Sequence, residues 1–419
     1  MTESTSLAYQ AGKPAPPRSS PSRLGRAYGF LGSAFVVAVA YVDPGNFATN
    51  MSGGARYGYL LLWVIASASA AAVFVQYLAA KLGIATGRSL PELCREHYPR
   101  PVTFGLWVQA ELVSMATDLA EFVGAAVALN LLFGVPLLPA ACVTAAVSLT
   151  ILTLAPLRRR RFETVIVALI LMVSAGFAYQ VVRSGPPVSA GAGLLPGFAG
   201  TDSVLLATGM LGATVMPHAI YLHSALTQEH HHASVTARRK ALRSSVKGLA
   251  CALGIAAVIN GSMLLVAAAS LHGTPLPHES LADMHDGLGK VLGADTALAF
   301  ALALLASGIA ASSVGTYAGQ VIMSGFLRTR IPLLLRRLLT MTPPLAILAL
   351  GTDPTQALII SQVVLSFGIP FALVPLVLFG RRRDVMGPLT NRRLTTAIGA
   401  VVALSISGLN LFLLHQLAA

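Results

Sequence analysis

The chain has 419 residues, of which 55% are hydrophobic and only 11% charged, and its mean hydropathy is +0.72. Those values exclude a water-soluble globular protein, in which roughly a quarter of the residues carry charge. The net charge of +13 raises the question of a nucleic-acid or acidic partner, which the placement of Lys and Arg along the chain answers.

Apolar segments near the ~20 residues that cross a bilayer recur throughout, and eleven spans are predicted. They lie at about 28–52, 57–80, 103–130, 135–156, 162–182, 203–227, 246–270, 294–326, 331–350, 355–379 and 394–417. The protein is therefore read as an all-α polytopic membrane protein. Residues 1–27 are polar and rich in Ser and Pro, with no apolar core leading to a small-residue cleavage site. They read as a disordered cytoplasmic tail rather than a removed signal peptide.

Of the 29 basic residues, 26 fall in the tail and in alternate connections. These are Lys13, Arg18, Arg23 and Arg26; Lys81, Arg88, Arg95 and Arg100; Arg158 to Arg161; Arg238, Arg239, Lys240, Arg243 and Lys247; Arg328, Arg330, Arg336 and Arg337; and Arg381, Arg382, Arg383, Arg392 and Arg393. Only Arg56, Arg183 and Lys290 remain for the other side. This is the positive-inside pattern of a cell-membrane protein with a cytoplasmic N-terminus and, for an odd number of spans, an external C-terminus. The charge belongs to the bilayer partner and needs no nucleic acid. Cys94, Cys142 and Cys251 are too few and too scattered for a disulfide framework or a Cys-x-x-Cys metal site.

The first span carries Asp43-Pro44-Gly45-Asn46 inside an apolar stretch at about 30–66. A carboxylate at that depth costs ~2.5–3.5 kcal/mol, and the adjacent Pro and Gly are expected to break the helix. The third span carries Glu111, Asp118 and Glu121. Asp118 and Glu121 share a face at i, i+3, with Glu111 about two turns back. Intramembrane acids line ion or proton paths; the structural alternative is an ion pair with Arg336 or Arg337 at the start of the ninth span. The two roles are compatible, because a carboxylate–Arg pair can also accept a proton leaving the centre of the bundle.

The sixth span repeats the anomaly of the first, with Gly209 to Val215 leading into Met216-Pro217-His218. Pro44 opens spans one to five and Pro217 opens spans six to ten. Five is odd, so the second half is inverted relative to the first. Paired discontinuous helices at the head of two inverted repeats point to a transport site near the midplane. Unwinding frees backbone carbonyls, and the half-helix that ends at a break aims its negative dipole end at the gap, so a cation is favoured there.

Around the two breaks stand the Asp43 carboxylate, the Asn46 amide oxygen, the Met216 thioether, and the carbonyls of Ala40 and Ala213, three residues before Asp43 and Met216. Oxygen alone suits Mg²⁺ or Ca²⁺, whereas the soft sulfur favours a transition metal. Met in an apolar helix is usually a gap-filler, and Pro kinks are common in membrane helices. Met216 gains its reading from its place beside the second break.

His218 and His223 lie about 140° apart around a regular helix, so they are not expected to share one metal. His218, at the break, fits a proton-linked role. His230-His231-His232, after Glu229, reads as a solvated basic loop rather than a metal cluster. Thr153, Asn260, Ser307, Ser312, Ser313, Thr316 and Gln320 either line a polar path or cement helix packing.

The Asp-Pro-Gly-Asn of the first span and the Met-Pro-His of the sixth resemble the two signature motifs of the Nramp family of proton-coupled divalent metal transporters, which includes bacterial manganese importers. Lys81-Leu82-Gly83-Ile84-Ala85-Thr86-Gly87 is also similar to the family, and the resemblance covers roughly residues 28–417. It implies a LeuT-like fold of 5+5 inverted repeats, here about 28–182 and 203–379, with discontinuous helices 1 and 6 and an extra helix at about 394–417. The implied metal ligands are Asp43, Asn46, Met216 and the carbonyls of Ala40 and Ala213, with Gln362 joining in some conformations. The implied cargo is Mn²⁺ or Fe²⁺. Nramp-related magnesium carriers lack the motif methionine, so Met216 argues against that branch. By the same resemblance Asp118 marks the proton exit, with Glu121, His218, Arg336 and Arg337 on the route. Glu111 and His223 complete the candidate proton path.

The expected function is proton-coupled import of Mn²⁺ or Fe²⁺ by alternating access, with no resident cofactor and no covalent chemistry. A sodium-coupled amino-acid carrier of the same architecture is the alternative, although a midplane Asp beside a thioether suits an organic carboxylate poorly. A passive cation channel is another. Neither His-Glu-x-x-His nor Gly-x-Ser-x-Gly is present to support an intramembrane enzyme.

Overall fold

A computed structural model describes residues 38–154, 159–328 and 333–418, and within them every regular element is helical. The tail at 1–27, the start of the first span and the side chain of Arg337 lie outside the described residues. Eight helices among the described residues are long and apolar enough to cross a bilayer. They are the second span, Leu62–Thr86; the third, Arg100–Phe133; the fifth, Val167–Ser184 within Arg159–Ser184; the sixth, Thr201–Thr214 with Pro217–Leu226; the seventh, Val235–Ser270; the eighth, Ala294–Leu327; the tenth, Pro354–Arg381; and the eleventh, Arg393–Ala418. The first, fourth and ninth are represented by Pro44–Tyr57, Leu137–Leu154 and Leu333–Ala349.

Helix ends follow local chemistry. Gly87 (φ 68°) and Gly134 (φ 65°) close the second and third spans in the left-handed conformation, returning their N–H groups to the Gly83 and Asn130 carbonyls. The seventh helix begins at Val235 rather than near 246, so Arg238, Arg239, Lys240, Arg243 and Lys247 are helical and not in a loop. Hydropathy marks where the apolar core begins, whereas Arg and Lys are good helix formers that carry the helix past it. Two short helices outside the spans, Leu90–His97 and Leu281–Leu292, start at capping boxes formed by Ser89 with Glu92 and by Ser280 with Asp283.

Packing repeats itself between the halves. The first span's second segment lies on the seventh span, as the sixth span's second segment lies on the second. The tenth packs on the third, as the fifth packs on the eighth, and the third and eighth make the most extensive contact of all. Each pairing maps onto its mate when span numbers shift by five, the signature of a five-plus-five repeat with discontinuous first and sixth helices.

Close approach depends on glycine. A Cβ at Gly212 would stand 1.9 Å from the Gln362 carbonyl oxygen, and one at Gly124 would stand 2.0 Å from the Pro44 Cβ. The tenth and third spans thus press directly on the two breaks.

Candidate metal centre at the two helix breaks

The first break spans three residues. After the helical residues 38–40, Tyr41 and Val42 form a turn, bonding back to Ala38 and Val39 at 3.0 and 3.1 Å. Asp43 is extended (φ −89°, ψ 167°), and the helix restarts at Pro44, a position where the missing N–H costs nothing. In the sixth span the helix stops at Thr214, Val215 and Met216 leave helical geometry, and Pro217 restarts it. Each predicted carbonyl ligand is freed for one reason: the residue four positions after Ala40 is Pro44, and four after Ala213 is Pro217. Neither proline has an N–H to donate.

Asp43 divides its two oxygens. Oδ1 accepts from the Asn46 backbone N–H at 2.9 Å and from Asn46 Nδ2 at 2.8 Å, capping the restarted helix. Oδ2 is buried with no hydrogen-bond partner. Asn46 Nδ2 also faces the Tyr41 carbonyl at 3.2 Å and, across to the other break, the Ala213 carbonyl at 3.0 Å. Asn46 thereby ties the two breaks together, and its own Oδ1 is buried without a donor. The Ala213 carbonyl, expected only as a ligand, has a side-chain donor on one lone pair and keeps a second.

Gln362 comes to this centre from the tenth span. Its side chain lies over Gly45, where an added Cβ would fall 2.0 Å from Nε2 and 2.2 Å from Cδ. Its Oε1 is a third buried oxygen without a donor. Met216, the break residue itself, is fully buried. Gly45 was expected to break the helix, but it sits inside Pro44–Tyr57 with no positive φ. Its missing Cβ makes room for Gln362. Gly45→Ala should therefore weaken metal binding by displacing Gln362. Calorimetry with Mn²⁺ should show no further loss when Gln362→Ala is added, whereas independent effects that add would sink the assignment.

The partners of several small polar residues are set by the fold rather than by the sequence. Asn260 Nδ2 donates to the Tyr41 carbonyl at 2.9 Å, and Ser307 Oγ donates to the Val42 carbonyl at 2.5 Å. Two of the small polar residues assigned to a path or to packing thus satisfy backbone exposed by the break. Asn50 joins them through Asn260 Oδ1 at 3.2 Å.

The two histidines part company, as their angular separation requires. His218 Nδ1 lies 3.1 Å from Thr117 Oγ1, which also lies 3.0 Å from the Val113 carbonyl. Asp118 is within electrostatic range of both His218 and Glu111. Arg336 Nη2 donates to Glu111 Oε2 at 3.1 Å and to Ser114 Oγ at 3.4 Å, which realises the expected ion pair. Asp118, Glu121 and Arg336 are all buried. His223 is not brought to these acids. Its Nδ1 meets Gln76 Oε1 at 2.8 Å, and Gln76 Nε2 donates to the Tyr41 hydroxyl at 2.6 Å.

His231 packs its Nδ1 3.0 Å from the Ile84 carbonyl at the end of the second span. No group of three or more His, Cys, Asp or Glu residues among those described is arranged to hold a metal. The two breaks offer a different set of groups: one carboxylate, side-chain amides, backbone carbonyls and the buried Met216.

A family model described as natural resistance-associated macrophage protein-like, or Nramp, matches residues 34–416. A Deinococcus radiodurans protein named divalent metal cation transporter MntH is 50% identical over 402 residues, covering 95% of this chain and 92% of that one. The manganese transporter of Eremococcus coleocola, solved with an aromatic bis-isothiourea substituted compound, is similar at a TM-score of 0.84 and 32% identity, over 98% of this chain and 91% of that one. Mhp1, a nucleobase-cation-symport-1 family transporter, matches at a TM-score of 0.61 and 14% identity, over 93% of this chain and 90% of that one. That last likeness is one of fold alone.

Proposed function

The chain belongs to the Nramp family, and on that premise we propose that it imports divalent transition-metal ions, Mn²⁺ foremost and Fe²⁺ with it, together with protons, by alternating access. The observation that carries the reading is the set of buried oxygens without donors, Asp43 Oδ2, Asn46 Oδ1 and Gln362 Oε1, gathered where two helices break beside Met216. An acceptor buried without a donor costs about 1–3 kcal/mol, more when charged. A divalent cation relieves several such costs at once, and the thioether biases the choice toward a transition metal.

The ligands in this reading are Asp43, Asn46, Met216, Gln362 and the Ala40 and Ala213 carbonyls. The membrane potential, worth ~2.3 kcal/mol per charge per 100 mV, draws the cation inward, given a cytoplasmic N-terminus and an external C-terminus. Asp43 and Asp118 hold the transported protons in turn. Glu121, His218, Glu111 and Arg336 form their surroundings, and Arg337 belongs to the same route.

Mn²⁺ uptake into proteoliposomes, with a pH dye inside, tests the proposal. Wild type is expected to show saturable uptake that acidifies the lumen. Sodium-dependent amino-acid uptake without Mn²⁺ uptake would replace the reading. Asp118→Asn should keep Mn²⁺ uptake but flatten its dependence on external pH, and an unchanged pH profile would remove Asp118 from the path.

A further inference from the structure

Three glycines of the eighth span, Gly308, Gly315 and Gly319, fall within about 40° of one another around the helix. None has a positive φ, so no backbone conformation requires them, and each costs up to ~1 kcal/mol relative to Ala. Their neighbours explain them. At Gly308 a Cβ would stand 2.8 Å from the Ala125 Cβ and 3.2 Å from its Cα and N, so this glycine serves the close approach of the third and eighth spans.

The other two face charge. A Cβ at Gly315 would stand 2.5 Å from Glu121 Oε1 and 3.0 Å from Oε2. One at Gly319 would stand 1.9 Å from Arg336 Nη2, 2.2 Å from Cζ and 2.4 Å from Nη1. Glu121 and Arg336 are 1% and 5% exposed, so neither head group can swing into water to make room. The seated guanidinium is the one that donates to Glu111 and Ser114.

We propose that Gly315 and Gly319 are positioning residues of the proton path: they cut a notch in the eighth span that seats the Glu121 carboxyl and the Arg336 guanidinium. The proposal rests on the proton-coupled reading above. Gly315 sets where Glu121 stands beside Asp118 on the third span. Gly319 lets Arg336 reach Glu111 at hydrogen-bond distance. An added methyl at either position moves one charged group and not the other, because each methyl meets a different head group.

The experiment pairs each glycine with a shortened partner. In proteoliposomes, Gly315→Ala and Gly319→Ala should each lower the protons carried per Mn²⁺ by at least about five-fold. Gly308→Ala, whose nearest neighbours are atoms of Ala125 and carry no charge, strains the same helix contact and should lower stability while leaving that ratio unchanged. Glu121→Asp, whose carboxyl recedes by one methylene, should restore the ratio in Gly315→Ala but not in Gly319→Ala. Arg336→Lys, with its narrower head group, should restore Gly319→Ala but not Gly315→Ala. Loss without this pairwise rescue, or rescue of a glycine variant by the partner of the other glycine, overturns the notch.

Should wild type carry Mn²⁺ with no proton entry, the coupling reading fails. The same pairs are then read by thermal unfolding of purified protein. A lowered midpoint restored only by the matching partner supports the notch, and midpoints that ignore the pairing reject it.

Discussion

Asp43→Ala is expected to reduce Mn²⁺ uptake to below roughly 1% of wild type. Loss of an outer-shell partner alone typically costs about 10–100-fold in metal affinity, and Asp43 is the one carboxylate at the break. The substitution removes two functions together, because Oδ1 caps the helix beginning at Pro44 while Oδ2 stands without a donor. Losing a cap costs ~1 kcal/mol, but removing a buried carboxylate also relieves its desolvation. The fold is therefore expected to survive. Asp43→Asn separates the functions: the amide oxygen still accepts from the Asn46 N–H, yet the charge is gone. Its thermal midpoint should match wild type within a few degrees while uptake stays abolished. Substantial Mn²⁺ uptake by Asp43→Asn would show that the carboxylate serves only as a cap.

The features readable from the chain alone were those written in local chemistry. Pro44 and Pro217 interrupt apolar runs, Asp43 is costly where it lies, and basic residues alternate between connections. These gave the broken helices and the ligand candidates. Gly45 was misread because composition alone does not distinguish a glycine that bends a helix from one that makes room for a neighbour. Only Gln362, more than three hundred residues away in the chain, explains it. The same limit hid the link from Asn46 to Ala213 and the capping of the Tyr41 and Val42 carbonyls by Asn260 and Ser307. A small polar residue in an apolar helix satisfies whatever backbone the fold brings to it.

The two short capped helices are legible in local sequence. Ser89 with Glu92, and Ser280 with Asp283, follow the spacing of a capping box. The projection of the seventh helix was harder to see, because hydropathy falls at the membrane surface whether or not the helix ends there. His223 shows how residue type alone leaves a partner open: its helical phase sets its Nδ1 against Gln76.

Met216 carries the prediction that most sharply separates selectivity from fold. Met216→Ala is expected to lower the preference for Mn²⁺ over Ca²⁺ by at least about ten-fold, equivalent to ~1.4 kcal/mol of differential binding. A hard cation loses nothing when a thioether is replaced by water, whereas a transition-metal ion loses a soft ligand. Met216 is fully buried, however, and truncating a buried Met to Ala costs roughly 2–5 kcal/mol through the cavity alone. A damaged break would also bind Mn²⁺ badly. Met216→Leu removes that ambiguity, since it nearly conserves volume and typically costs under about 1.5 kcal/mol. Competition assays with Ca²⁺ should show Met216→Leu losing discrimination as fully as Met216→Ala, with a thermal midpoint close to wild type. If Met216→Leu keeps its preference for Mn²⁺, selectivity resides in the oxygen cage and the size of the break, and the sulfur is packing.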